Sequence, residues 1–102
     1  MGTEDDRPVD HGAVAAMVAS IGAQIRDARR ARGWFLADVA ARLGLSASVV
    51  CRMELARREP SRHQVISACS ALGMRFSDVL RHAEDEAFPL GSGPWDLPIW
   101  PG

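Results

Sequence analysis

Residues 36–55 read LADVAARLGLSASVVCRMEL, and this stretch decides the fold. Val39, Ala40 and Leu43 fall on one side of a short helix predicted over Leu36–Leu43. Gly44 follows at the point where the chain has to turn with positive φ, a conformation glycine enters without a steric penalty. Leu45 comes next, then Ser46, whose hydroxyl suits a helix N-cap. A further helix fits Ala47 to about Leu55, with Val50 and Met53 inward. Ala40 is the small residue needed where the two helices cross, and Val39, Leu43, Leu45, Val50 and Met53 fill the angle between them.

Working outward, the pattern stays helical on both sides. Upstream, from about Gly12, Val14, Met17, Val18, Ile21, Ile25 and Ala28 recur at spacings of three and four and predict an amphipathic helix facing the core. Arg26, Arg29, Arg30 and Arg32 gather towards its end, where cations complement the helix dipole, and Gly33 is placed to cap it. Downstream, Ala56 to Pro60 forms a loop. Ser61 then caps a helix over Arg62–Leu72 that buries Val65, Ala68, Cys69 and Leu72, and Gly73 stops it. A last helix starts near Ser77 and carries Val79, Leu80 and Ala83 before Pro89. Three parts result: an acidic, disordered end over 1–11, a helical domain over 12–86, and a tail over 87–102. The tail, AFPLGSGPWDLPIWPG, is too rich in proline and glycine for a helix. With Trp95 and Trp100 it is also too apolar to stay free in solution, so docking by contact is expected.

A chain of 102 residues with 47% hydrophobic content supports one small core. The absence of tyrosine and the abundance of alanine, arginine and leucine favour an all-α fold. The net charge of −1 hides a segregation. Residues 21–62 carry nine arginines against Asp27, Asp38, Glu54 and Glu59, a net of +5, between ends of −3 each. Local charge of this kind is what attracts phosphate. No apolar run has the length of a membrane span, and MGTEDDRPVDHG lacks the basic and apolar regions of a signal peptide; a cytoplasmic location is expected. Cys51 and Cys69 have no metal-type spacing, and His11, His63 and His82 are scattered. No nucleophile–base pair, glycine-rich phosphate loop or paired carboxylate motif is present, so neither an enzyme nor a cofactor or metal site is expected.

Two short helices joined by a tight glycine turn make a helix-turn-helix unit. The chain resembles the Cro/repressor-type helix-turn-helix family, the XRE family, over about Ile21 to Leu80. The likeness rests on Ile21-Gly22, Ile25-Arg26 with Arg29, Arg32-Gly33, Val39-Ala40 with Leu43-Gly44-Leu45-Ser46, Arg52-Met53-Glu54, Pro60-Ser61 and Ala71-Leu72-Gly73. It implies an all-α, five-helix repressor-like domain, often dimeric, that acts as a transcriptional regulator or as the DNA-binding half of a toxin–antitoxin pair. It also implies a recognition helix at Ala47–Glu54 and an internal ion pair between Arg29 and Glu54. The sequence departs from the family where Phe35 and Leu36 replace the usual hydroxyl cap and phosphate-binding glutamine. It departs again at Ala56, where the family's loop usually has glycine.

The candidate DNA contacts are therefore Ser46, Ala47, Ser48, Val49, Arg52, Arg57 and Arg58, with double-stranded DNA as partner and a homodimer as the expected form. Arg52 is the strong base reader of the recognition helix, with Ser48 beside it; the alternative is a solvated arginine on the helix face. Ser46 either caps its helix and touches a phosphate or, more simply, only caps. Arg57 and Arg58 either follow a DNA strand or belong to an ordinary solvated loop. Arg26 and Arg30 share a helix face that is more simply solvated. Cys51 is more simply an inert thiol than a redox sensor. A second reading gives the scaffold to protein–protein contact, through Trp34, Phe35 and Leu36 or through Trp95 and Trp100. An antitoxin would combine the two.

Overall fold

A computed structural model describes residues 11–88 of the chain. Five α-helices follow in order: α1 (His11–Ala31), α2 (Leu36–Leu43), α3 (Ala47–Glu54), α4 (Arg62–Leu72) and α5 (Phe76–Ala87). There is no strand among the described residues. The bounds of α2 and α4 are those predicted, because each is closed by glycine and each has a polar side chain at its entry. Ser61 Oγ accepts from the Gln64 N–H while the Gln64 side chain accepts from the Ser61 N–H, a reciprocal capping box. At α2, Asp38 Oδ2 accepts from the Phe35 N–H at 2.7 Å, and Phe35 itself offers no acceptor. His11, assigned above to the acidic end, lies in α1, and α5 begins one residue earlier than expected and takes in Ala87. The tail from Pro89 onward, with Trp95 and Trp100, and the acidic N-terminal segment up to Asp10 lie outside the described residues.

The core is one cluster to which every helix contributes. Ile21 and Ile25 come from α1, Val39 and Ala40 from α2, Val50 from α3, Val65, Ala68, Cys69 and Leu72 from α4, and Val79 and Ala83 from α5. Met53 is fully buried as well. The long α1 is the spine. It packs most extensively on α5, and also lies against α3 and α4, while α2 rests on α3 and α4. Gln24 of α1 fastens the α5 side, donating from Nε2 to the Val79 carbonyl at 3.0 Å and to Ser20 Oγ at 3.2 Å, which gives buried Ser20 its partner. Val14, expected inside, is 43% exposed. Ala13 beside it is buried and Met17 packs on the core, so the inward face at this end of α1 runs through Ala13 and Met17, and Val14, about 100° round the helix from Ala13, turns outward.

Candidate nucleic-acid interface

Three contacts set the pose of α3. The first is the turn before it: Gly44 adopts φ 68°, and the Leu45 N–H donates back to the Ala40 carbonyl, so α2 ends in one residue and α3 leaves at an angle. Ser46 then caps α3 by accepting from the Val49 N–H at 3.2 Å. The second is the approach of α1. A methyl group at Gly22 would lie 2.5 Å from the Met53 carbonyl oxygen and 2.7 Å from that of Glu54, so only glycine lets α1 lie against the carboxyl end of α3. The third is the pair between Arg29 and Glu54. Arg29 donates from Nε to Glu54 Oε2 at 2.7 Å and from Nη2 to Oε1 at 2.9 Å, and its Nη1 donates to the Trp34 carbonyl at 2.9 Å. The two side chains are 11% and 3% exposed, and the hydrogen bonds to Glu54 raise the Arg29 guanidinium above its ordinary value.

With Val50, Met53 and Glu54 buried, the opposite face of α3 carries Ser48, Arg52 and Leu55, spaced by four and three. Ser48 and Arg52 are exposed, and Leu55, just past the helix, is 49% exposed. Val49 and Cys51 border this stripe on opposite sides and are half-buried; Ala47 is turned towards the core and packs on it. Arg52, Arg57 and Arg58 are exposed and make no ion pair or side-chain hydrogen bond among the described residues. Their charge is therefore uncommitted. The chain leaves α3 through a turn in which Ala56 takes φ 58°, with the Ala56 N–H donating to the Met53 carbonyl and the Arg57 N–H to that of Arg52. The turn expected to hold glycine thus keeps the left-handed geometry with alanine in it, and it places Arg57 and Arg58 at the carboxyl end of α3.

The other arginines divide by role. Arg32 donates from Nε and Nη2 to the Leu72 carbonyl at 3.1 and 2.8 Å, which ties the end of α1 to the end of α4. Arg42 lies 4.0 Å from the centre of the Trp34 ring and Arg32 5.2 Å from it, so that indole is flanked by cations. Trp34 and Leu36 are half-buried against the core, and Phe35 between them is 77% exposed. Of the proposed apolar trio, only Phe35 stands out into solvent. Burial pushes the Cys69 thiol up; Cys51 is half-buried. Sequence reasoning missed the close approach at Gly22, the reach of Arg32 to α4 and the exposure of Leu55. The first had a signal, a glycine inside an otherwise regular helix.

No group of three or more histidine, cysteine or acidic side chains placed to hold a metal ion occurs among the described residues, and none of their helices is long and apolar enough to cross a membrane. Comparison with known proteins agrees with the geometry. A search of curated proteins gives no match. Among solved structures, the clp gene regulator ClgR from Corynebacterium glutamicum is similar, with 30% sequence identity and a TM-score of 0.64 over 70% of this chain and 76% of that one. Residues 20–83 match the family described as helix-turn-helix domain, a span that runs from the Gly22 approach to the end of the core on α5. The chain belongs to the helix-turn-helix domain family.

Proposed function

We propose that this protein is a DNA-binding transcriptional regulator that places α3 in the major groove of double-stranded DNA and reads sequence with it. The observation that carries the reading is the uncommitted face of α3. Its inner side is clamped by Gly22, Arg29 and the core, and its outer side presents Ser48 and Arg52 with no internal partner among the described residues. An arginine held on a rigid helix pairs with the O6 and N7 acceptors of guanine. Arg57 and Arg58, together with Ser46 at the amino end, lie where phosphates flank such a helix, and phosphate contacts supply most of the affinity. The similarity to a gene regulator supports the same reading. A homodimer, which the family resemblance implies, would double these contacts across two half-sites.

A fluorescence-anisotropy titration on duplex DNA tests this. Binding that falls steeply between low and moderate salt, with a log–log slope reporting several phosphates, is expected from the basic 21–62 segment. Affinity that is absent, or flat with salt, overturns it. A second reading, a surface for a protein partner, draws on the 77% exposure of Phe35 beside the Trp34 ring and its two arginines. Loss of a partner on Phe35→Ala with DNA binding intact would favour it.

A further inference from the structure

We propose that Val49 reads the C5-methyl group of a pyrimidine, so that the preferred half-site holds a methyl-bearing pyrimidine one or two base pairs from the guanine taken by Arg52. This inference rests on the DNA-binding reading above and specifies its chemistry. The first turn of a recognition helix is the part that meets base edges. Here that turn holds Ala47, Ser48 and Val49, and none of them carries the amide or guanidinium that reads a base through two hydrogen bonds.

Their surroundings separate the three. The Ala47 methyl is packed against the core cluster and is taken up there. Ser48 is exposed, and its single hydroxyl is satisfied by several bases, which leaves it a weak discriminator. Val49 is half-buried, yet it is not among the half-buried apolar side chains that pack on the core, and its backbone N–H is already held by Ser46 Oγ. A branched apolar side chain is thus held at the edge of the reading stripe with no core role to explain it. The one apolar feature of the major groove is the pyrimidine C5-methyl. Val49 precedes Arg52 by three residues, about 4.5 Å along the helix axis. Base pairs are stacked about 3.4 Å apart, so the two side chains address neighbouring or next-neighbouring pairs. Leu55 shares the stripe but lies roughly 9 Å beyond Val49, away from the turn that enters the groove.

Thymine and 5-methylcytosine carry the same methyl group, and the test separates them. A preferred site is selected from random, unmethylated duplexes with the full-length protein, and each thymine is replaced in turn by deoxyuridine. At one position beside the Arg52 guanine, removal of the methyl should weaken wild-type binding about fourfold, the value of one buried methyl group. Val49→Ala should bind the thymine and deoxyuridine duplexes equally, with its fold checked by circular dichroism, while Arg52→Ala keeps the difference. A cytosine pair at that position should regain part of the loss on 5-methylation, which would extend the reading to 5-methylcytosine; no regain overturns that extension and leaves the contact to be judged on thymine against deoxyuridine. Wild-type binding indifferent to every deoxyuridine overturns this inference and leaves DNA binding standing. A difference that survives in Val49→Ala overturns the assignment to Val49. A chain that binds no duplex overturns both this inference and the reading it rests on.

Discussion

Arg29 and Glu54, 25 residues apart in sequence, meet in two parallel hydrogen bonds of 2.7 and 2.9 Å, nearly closed to solvent. Through its third donor to the Trp34 carbonyl, the same guanidinium reaches the connection between α1 and α2. One side chain therefore fixes the carboxyl end of α3 relative to the spine and to the element before it. Removing either partner leaves a buried charge alone. Arg29→Ala or Glu54→Ala should lower stability by about 3–5 kcal/mol, and replacing both with apolar residues of similar volume should lose much less. Urea denaturation measures this. Losses below about 1 kcal/mol for the single variants would mean the pair is solvated.

Gly22→Ala should also destabilise, although alanine is the better helix former by about 1 kcal/mol. The added methyl meets the carbonyl oxygens of Met53 and Glu54 at 2.5 and 2.7 Å, and backbone atoms held in a helix cannot move aside cheaply. Overpacking of this kind costs about 1–3 kcal/mol, and thermal unfolding should show the net loss. A more stable variant would show that α1 and α3 lie further apart than the structure places them.

Ala56 and Gly44 form a matched pair of left-handed residues, at φ 58° and 68°. The left-handed region costs a residue with a Cβ roughly 1–2 kcal/mol. Ala56→Gly should raise stability by about 0.5–1 kcal/mol once the greater freedom of unfolded glycine is subtracted. Gly44→Ala should lower it by a similar amount. Nothing crowds the Gly44 position within 4 Å, so the second effect isolates backbone strain. Equal stability of all three proteins would remove strain as the explanation.

The two thiols should differ in reactivity. Cys69 is buried in the core, with its thiol pushed up by burial, and Cys51 is half-exposed on α3. Under native conditions near neutral pH, alkylation followed by peptide mass analysis should find Cys51 modified and Cys69 protected. Equal labelling would show that α4 opens readily.

The helices were legible wherever the sequence punctuates itself. Gly44 and Gly73 close α2 and α4 at the expected residues, and Ser46 and Ser61 open α3 and α4, because caps and left-handed glycines are local requirements. The apolar corner of Val39, Ala40, Val50 and Met53 was equally plain from spacing. What depends on distant geometry was not. Arg32 looked like a cation for its own helix and instead caps α4, while Val14 keeps the right spacing but the inward place at that level is taken by its neighbour Ala13. The exposed stripe of α3 was half legible: Ser48 and Arg52 follow from their polarity, whereas the exposure of Leu55 and the absence of a core role for Val49 emerge only once the helices are packed.

The central claim is that α3 reads base sequence and does not merely lie near phosphates. The most direct measurement compares wild type and Arg52→Ala on a selected duplex and on a scrambled one of the same length and salt. The exposed Arg52 side chain makes no ion pair or hydrogen bond among the described residues, so its loss should leave the fold intact. Affinity for the selected site should fall by roughly 5- to 160-fold, the equivalent of about 1–3 kcal/mol, with little change on the scrambled duplex. Equal losses on both would make Arg52 a phosphate contact, and unchanged binding to both would place it outside the interface; each result contradicts sequence reading by Arg52 on α3.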